Sequence, residues 1–162
     1  MSTVFDPSAR AALHERVDRL SPVQDRRWGS MQVEQMVCHA AEQLRVALGD
    51  IESRPGPLGI RLGKLVVNSS PGLLRFRRFR QLLVHSAPWP KAGIKAPPEM
   101  FTSTPAEWQD DVAALHALID RAGEKDPTAD WAVHPIFGPL SGDEWGLLCW
   151  KHLDHHLRQF GV

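Results

Sequence analysis

Two histidines near the end of the chain stand four residues apart, a spacing suited to binding a metal ion. His152 and His156 lie in a stretch with helical periodicity, and an α-helix advances about 100° per residue, so they share one face. The same face is apolar, carrying Trp145, Leu148, Cys149, Leu153 and Phe160. Two such imidazoles inside a helical core can bind one divalent cation, and burial favours the neutral form that a metal requires. The alternative is a pair of core histidines hydrogen-bonded to their neighbours, and spacing alone leaves both open.

A metal site that keeps a position open for water or substrate needs a third protein ligand. His39 is the best candidate, because it lies in the middle of a predicted helix with Gln43 one turn further on. Periodicity places His39 on the flank of that helix's apolar stripe, so a half-exposed histidine is the alternative. The other candidates are His14, His85, His116, His134, Cys38 and Cys149.

The two cysteines have mainly structural interpretations. Cys149 shares a face with His152 and could ligate a soft metal, but a small buried hydrophobic side chain is the favoured interpretation. Cys38 adjoins His39 but points to another face of the helix, and we interpret it as structural. Two cysteines in 162 residues form no disulfide framework, which is typical of a reducing compartment.

Polar side chains near the histidines could assist a bound metal. His134 begins the loop before the last helix, where a hydrogen bond that shapes the turn is favoured over an acid–base role at the site. Glu42 and Gln43 lie about one turn beyond His39, and Gln159 lies about one turn beyond His156. They could orient a ligand or a bound water, and ordinary polar residues of a helix surface are an equal alternative.

Four long helices are predicted to position these residues. The first covers about residues 8–20, and the second covers about 32–48 and ends at Gly49. The third begins at a capping box, Thr104-Pro105-Ala106-Glu107, and ends at Gly123. The last begins at a second capping box, Ser141-Gly142-Asp143-Glu144, and continues to about Phe160, before Gly161.

A Pro/Gly-rich insertion separates the second long helix from the third. Seven of the 13 prolines lie between positions 55 and 98. Short helices are possible over 58–67 and 72–84, residues 86–98 indicate an irregular loop, and 64–68 is a weak β candidate. The pattern therefore predicts an all-α fold, an antiparallel four-helix bundle with this irregular insertion, in a single domain over residues 1–162.

Composition and charge narrow the class of protein. The chain is 43% hydrophobic and 23% charged, with 19 basic and 19 acidic residues, so nucleic-acid binding is not expected for the chain as a whole. No apolar run approaches the roughly 18 residues of a membrane span, and the first residues do not resemble a signal peptide. We therefore expect a cytoplasmic protein with no membrane span.

The basic residues concentrate in one segment. Residues 54–98 carry nine Lys and Arg and no Asp or Glu, so this segment has a formal charge of +9 against −9 for the remainder. Three interpretations stay open. The segment could be a solvated face balanced by the acidic remainder, it could attract an anionic substrate or thiol toward the metal, or it could contact nucleic acid or a membrane surface.

Three motifs resemble the DinB-like superfamily of helical-bundle metalloproteins, and most closely a bacterial branch of undefined function. Residues 28–39 read WGSMQVEQMVCH, residues 134–140 read HPIFGPL, and residues 151–161 read KHLDHHLRQFG. The last is close to the superfamily's H-x-x-H-H-x-x-Q ending. One departure is Gln32, where the branch usually has a capping Ser or Thr.

The resemblance implies a fold and a metal site. It implies a DinB-like four-helix bundle with a histidine triad of His39, His152 and His156 holding a divalent metal, for which zinc and nickel are both suitable. Some members are transferases that use low-molecular-weight thiols such as bacillithiol or mycothiol, others are glutathione-dependent isomerases, and several are homodimers. We therefore expect a metal-dependent transferase or hydrolase acting on a small molecule. The alternative is a non-catalytic metal-binding bundle with a structural, sensing or partner-binding role.

Overall fold

The computed structural model describes residues 2–52, 84–85 and 103–162. These residues form four α-helices and no strand: α1 is Pro7–Asp18, α2 is Val33–Leu48, α3 is Trp108–Glu124 and α4 is Gly142–Gln159. The prediction of an all-α fold is thus confirmed for the described part of the chain. The short elements predicted over 58–67, 64–68 and 86–98 lie outside the described residues, as does 72–84 apart from Val84.

The four helices pack around a shared apolar core. Both α1 and α2 contact both α3 and α4. Each helix contributes fully buried side chains to this core, including Leu13 and Val17, Met36 and Leu44, Leu115 and Ile119, and Trp145, Leu148 and Leu153. None of the four has the length and apolarity that crossing a bilayer would require.

The C-terminus of α2 and the N-terminus of α4 agree with the sequence signals. Gly49 follows α2 with φ +86°, a left-handed conformation that glycine adopts without strain. At the start of α4 the Glu144 N–H donates to Ser141 Oγ at 3.2 Å, and the Ser141 N–H donates to Glu144 Oε2 at 2.9 Å. This reciprocal pair is the predicted capping box, and it fixes the first turn of the helix that carries His152 and His156.

The predicted start and end of α3 are wrong. The helix begins at Trp108, after an extended Glu107, so Thr104 is not its cap. The Asp111 carboxylate inside the helix accepts a hydrogen bond from the Ala106 N–H at 3.0 Å, which ties the segment before Trp108 to the first turn of the helix. Gly123 lies inside the helix rather than after it, and a Cβ there would lie 2.6 Å from the Val4 carbonyl oxygen. This glycine therefore permits close packing rather than ending the helix.

The loop between α1 and α2 covers the C-terminal end of α4. The Arg27 N–H donates to the Gln159 carbonyl at 2.7 Å, and the Arg27 guanidinium donates to the Gly161 carbonyl at 3.1 Å. The Gln24 side-chain amide donates to the Phe160 carbonyl. Because the last carbonyls of a helix have no partner within the helix, these bonds stabilise the end of α4. They also bring the loop close to the predicted metal ligands.

Candidate metal centre

The three predicted histidines come together between α2 and α4. His152 Nε2 lies 3.1 Å from His39 Nε2 and 3.2 Å from His156 Nε2. The three rings stand nearly perpendicular to one another, with interplanar angles of 71°, 87° and 86°. All three residues are buried, with exposed fractions of 4% for His39, 5% for His152 and 8% for His156. This buried group could hold a metal ion.

The two separations measured from His152 Nε2 are those expected between ligands of one cation. Ligand atoms about 2.0–2.1 Å from a tetrahedral zinc lie roughly 3.3 Å from one another, close to the separations of 3.1 and 3.2 Å found here. Hydrogen bonds among the rings account for the geometry less well. A single N–H on His152 Nε2 cannot point well at both neighbouring nitrogens, whereas one cation accepts a lone pair from all three rings.

The electrostatics keep His152 and His156 neutral. Burial, together with the neighbouring His156 and His39, holds the pKa of His152 well below its usual range. Burial lowers the pKa of His156 to about 3, and His39 adds to the effect. A neutral imidazole offers the lone pair that a metal ion binds, so these histidines are in the state needed for ligation near neutral pH.

His39 is more buried than its position on the apolar stripe predicts. Every residue from Met36 to Leu44 is buried, because α2 packs against both α3 and α4. A helix with neighbours on several sides has no solvated flank, so the half-exposed alternative for His39 is wrong. The contact of its ring with α4 is what completes the group.

The polar side chains near His39 lie in the same buried layer. The Gln43 amide nitrogen lies 3.7 Å from Cys149 Sγ. Gln43 is one turn after His39 on α2, and Cys149 is three residues before His152 on α4. The pairs His39–His152 and Gln43–Cys149 show that α2 and α4 run antiparallel. Gln43 and Glu42 are both 4% exposed, and Glu42 accepts a hydrogen bond from the Ser103 N–H. They are buried groups and not helix-surface polars.

The cysteines are buried thiols. Burial raises the pKa of Cys149 to about 12 and that of Cys38 to about 11, and Asp111 adds to the effect at Cys38. Neither cysteine belongs to the histidine group, which contains imidazoles alone among the described residues. Both are therefore protonated near neutral pH, in agreement with the structural interpretation.

His134 shapes the loop before α4. Its Nδ1 accepts hydrogen bonds from the Ile136 and Phe137 N–H groups at 3.0 and 3.1 Å, and its backbone exchanges two hydrogen bonds with Gly138. These are the turn-forming bonds that the sequence favoured over an acid–base role. Burial lowers the pKa of His134 to about 3, so this ring is neutral.

The remaining candidate histidines lie elsewhere. His14 and His116 stack against each other with centroids 4.8 Å apart, between α1 and α3. Their outer nitrogens pair with Asp120 at 2.9 Å and Asp18 at 3.0 Å. The side chain of His85 is 42% exposed. None of the three joins the group on α2 and α4.

Two hydrogen bonds connect His156 through Gln159 to the α1–α2 loop, and the sequence predicted only part of this arrangement. His156 Nδ1 lies 2.9 Å from Gln159 Oε1, and Gln159 Nε2 donates to the Trp28 carbonyl at 2.8 Å. Gln159 is a sequence candidate, but the Trp28 carbonyl is a backbone group 131 residues away. The sequence feature that could have indicated this contact is the Trp28-Gly29 pair in the first motif.

Comparison with known families finds a match to the second half of the chain. A family described as a protein of unknown function, DUF1569, matches residues 81–161, which is half of the sequence. The chain belongs to the DUF1569 family. The matched part of this DUF1569 chain includes α3, α4, His134, His152 and His156, whereas His39 lies outside it. No curated protein and no solved structure matches the chain.

Proposed function

We propose that this protein binds a divalent metal through His39, His152 and His156 and uses it in an enzymatic reaction on a small molecule. The observation that carries the proposal is the convergence of three buried imidazoles from two helices, with His152 Nε2 3.1 Å from His39 Nε2 and 3.2 Å from His156 Nε2. Zinc and nickel both suit a set of imidazole ligands. The resemblance to DinB-like metalloproteins supports the same assignment, with the four helices in that superfamily's bundle arrangement.

The number of ligands favours catalysis over a purely structural site. Within the described part of the chain the group contains three imidazoles, and catalytic zinc sites have three protein ligands where structural sites have four. A bound metal would supply Lewis acidity, which lowers the pKa of a coordinated water or thiol. The chain's own contribution is to hold three imidazole rings in place in the buried space between α2 and α4.

The reaction is a thiol-dependent transfer or a hydrolysis. Both cysteines of the chain are buried and have raised pKa values, so the thiol of a transfer reaction comes from a low-molecular-weight cofactor rather than from the protein. Hydrolysis would need only water at the open position. The proposal also includes a cytoplasmic location, from the cysteine content and the N-terminal sequence, and a homodimer, from the resemblance.

Metal analysis of the purified protein tests the site. We expect about one zinc or nickel ion per chain by inductively coupled plasma mass spectrometry, and we expect His156→Ala to lose it while keeping its helical circular dichroism. His116→Ala is the matched control, because His116 lies between α1 and α3 and not in the triad. Equal metal content in His156→Ala and the parent protein would contradict the proposal.

An activity screen tests the reaction. The metal-loaded protein is incubated with an alkyl or aryl halide, with and without glutathione, bacillithiol or mycothiol, and separately with activated esters. Turnover that needs a thiol and is lost in His156→Ala supports a transferase, and ester cleavage without thiol supports a hydrolase. X-ray absorption that shows a fourth protein ligand, with no turnover, would overturn the catalytic assignment.

The second candidate is a metal site that stabilises the fold without catalysis. It is favoured by the distance along the chain between the ligands, since His39 and His152 are 113 residues apart and a shared ion would join α2 to α4. The fourth ligand in the X-ray absorption experiment separates this candidate from the first.

A further inference from the structure

We infer that Gln159 is a positioning residue for the metal centre and that the Trp28 carbonyl, in the loop between α1 and α2, orients its side-chain amide. Gln159 fixes which nitrogen of His156 carries the proton and so turns the lone pair of His156 Nε2 toward the ion. This inference rests on the proposed metal site. It adds to that site a residue and a backbone group that act on a ligand without touching the metal.

The hydrogen bonds determine how the Gln159 amide is oriented. The Trp28 carbonyl can only accept a hydrogen bond, so the group 2.8 Å from it must be the NH₂ of Gln159. The Gln159 oxygen then faces His156 Nδ1 at 2.9 Å. An amide oxygen cannot donate, so Nδ1 must carry the proton.

The tautomer of His156 follows from this chain of bonds. A histidine that ligates a metal is neutral, and a neutral imidazole ring holds one proton. With that proton on Nδ1, Nε2 presents its lone pair to His152 Nε2, 3.2 Å away. A hydrogen bond to the far nitrogen of a ligating histidine fixes its tautomer and ring orientation and raises its basicity.

The loop between α1 and α2 holds the amide in this orientation. The Arg27 backbone N–H donates to the Gln159 main-chain carbonyl at 2.7 Å, while the Trp28 carbonyl accepts from the Gln159 side chain. Gly29 has φ +80°, and a Cβ at this position would lie 2.5 Å from Gln159 Nε2. Glycine is therefore favoured at this position both by the left-handed backbone conformation and by the space that the Gln159 amide needs.

Metal affinity and the tautomer of His156 test this inference together. Removing such a partner typically weakens metal binding by about 10–100-fold, so we expect Gln159→Leu to bind zinc weaker by that factor in a competition titration with a chromophoric chelator. The matched control is Gln24→Leu, because Gln24 also donates to a carbonyl at the end of α4 but contacts no ligand. We expect its zinc affinity to equal that of the parent protein.

Long-range ¹⁵N–¹H NMR of the histidine rings gives a readout that loss of stability would not imitate. We expect the metal-free parent protein to hold His156 in the Nδ1–H form, and Gln159→Leu to show a mixture of tautomers. An Nε2–H form in the parent protein would overturn the inference without any variant, as would unchanged zinc affinity in a folded Gln159→Leu. Absence of zinc binding by the parent protein would contradict the metal site itself, so the two failures are distinguishable.

Discussion

His134 is a buried neutral base in the turn that leads into α4. Its Nδ1 accepts two backbone N–H bonds, and the ring packs 5.2 Å from that of Trp145. Both bonds need an unprotonated Nδ1, and burial lowers the pKa of the ring to about 3. The turn therefore depends on a histidine that stays neutral at pH values where an exposed imidazole is charged.

This difference makes His134 a source of pH-dependent stability. The folded pKa of about 3 lies below the unfolded value of about 6.5, so as pH falls the unfolded chain takes up a proton first. The contribution of His134 is complete above about pH 6.5 and is lost progressively toward about pH 3. We expect the advantage of the parent protein over His134→Gln in urea unfolding to shrink by about 2 kcal/mol between pH 7.5 and pH 5.0.

Several other histidines also have lowered pKa values, and the comparison of variants isolates His134. His152 and His156 are present in both proteins, and burial, the main cause of their lowered pKa values, is the same in both. Parallel stability curves for the parent protein and His134→Gln over this pH range would contradict the prediction.

At the scale of elements, the two predicted capping boxes have different outcomes. Ser141 caps α4 through its hydroxyl, whereas Thr104 lies outside α3 and is exposed. We expect Ser141→Ala to lower the free energy of unfolding by about 1 kcal/mol, and Ser141→Asp to retain most of it, since Asp is also a good cap.

Thr104→Ala is the matched variant for this experiment. We expect its effect on chemical denaturation to stay within about 0.5 kcal/mol, because the hydroxyl makes no capping bond. An equal loss of stability in the Ser141 and Thr104 variants would show that α3 begins at Thr104 after all.

The contrast between α3 and α4 shows what sequence patterns can predict here. In α4 the cap, the apolar arc and the placement of His152 and His156 on one face are all local, and each was predictable. The start of α3 was not, because residues 104–107 stay outside the helix and the Ala106 N–H pairs with Asp111 further along the chain. The Thr-Pro-Ala-Glu pattern by itself does not show that pairing.

Residues that depend on distant partners were only partly predictable. Periodicity put His39 on a flank because it cannot show that α2 has neighbours on several sides. The resemblance placed His39 in the triad, and the structure brings its ring to the other two. The role of Gln159 depends on the Trp28 carbonyl, 131 residues away, and no spacing within either helix encodes that contact.

At the scale of the whole molecule, the proposed metal site couples ligand binding to folding. His39 belongs to α2, and His152 and His156 belong to α4, so the unfolded chain holds no preformed triad. A ligand that binds only the folded state stabilises it by about 2.7 kcal/mol at 100 times its dissociation constant. We expect zinc to raise the midpoint of thermal unfolding, and a chelator to reverse the increase.

Variants show whether this stabilisation comes from the triad. His156→Ala is expected to unfold at the same temperature with and without zinc, whereas His116→Ala is expected to keep the zinc-dependent increase. A similar increase in His156→Ala would mean that the ion acts at another place on the chain.

Burial of both cysteine side chains has a practical consequence for assays of this protein. Cys38 and Cys149 are 5% and 0% exposed, and they are the chain's full complement of sulfhydryls. Ellman's reagent should therefore remain colourless with the native protein and release two equivalents of its dye once guanidinium is added. Consumption of an added thiol can therefore be measured by titrating samples with the reagent at intervals, without a contribution from the protein's own cysteines and without first mutating them.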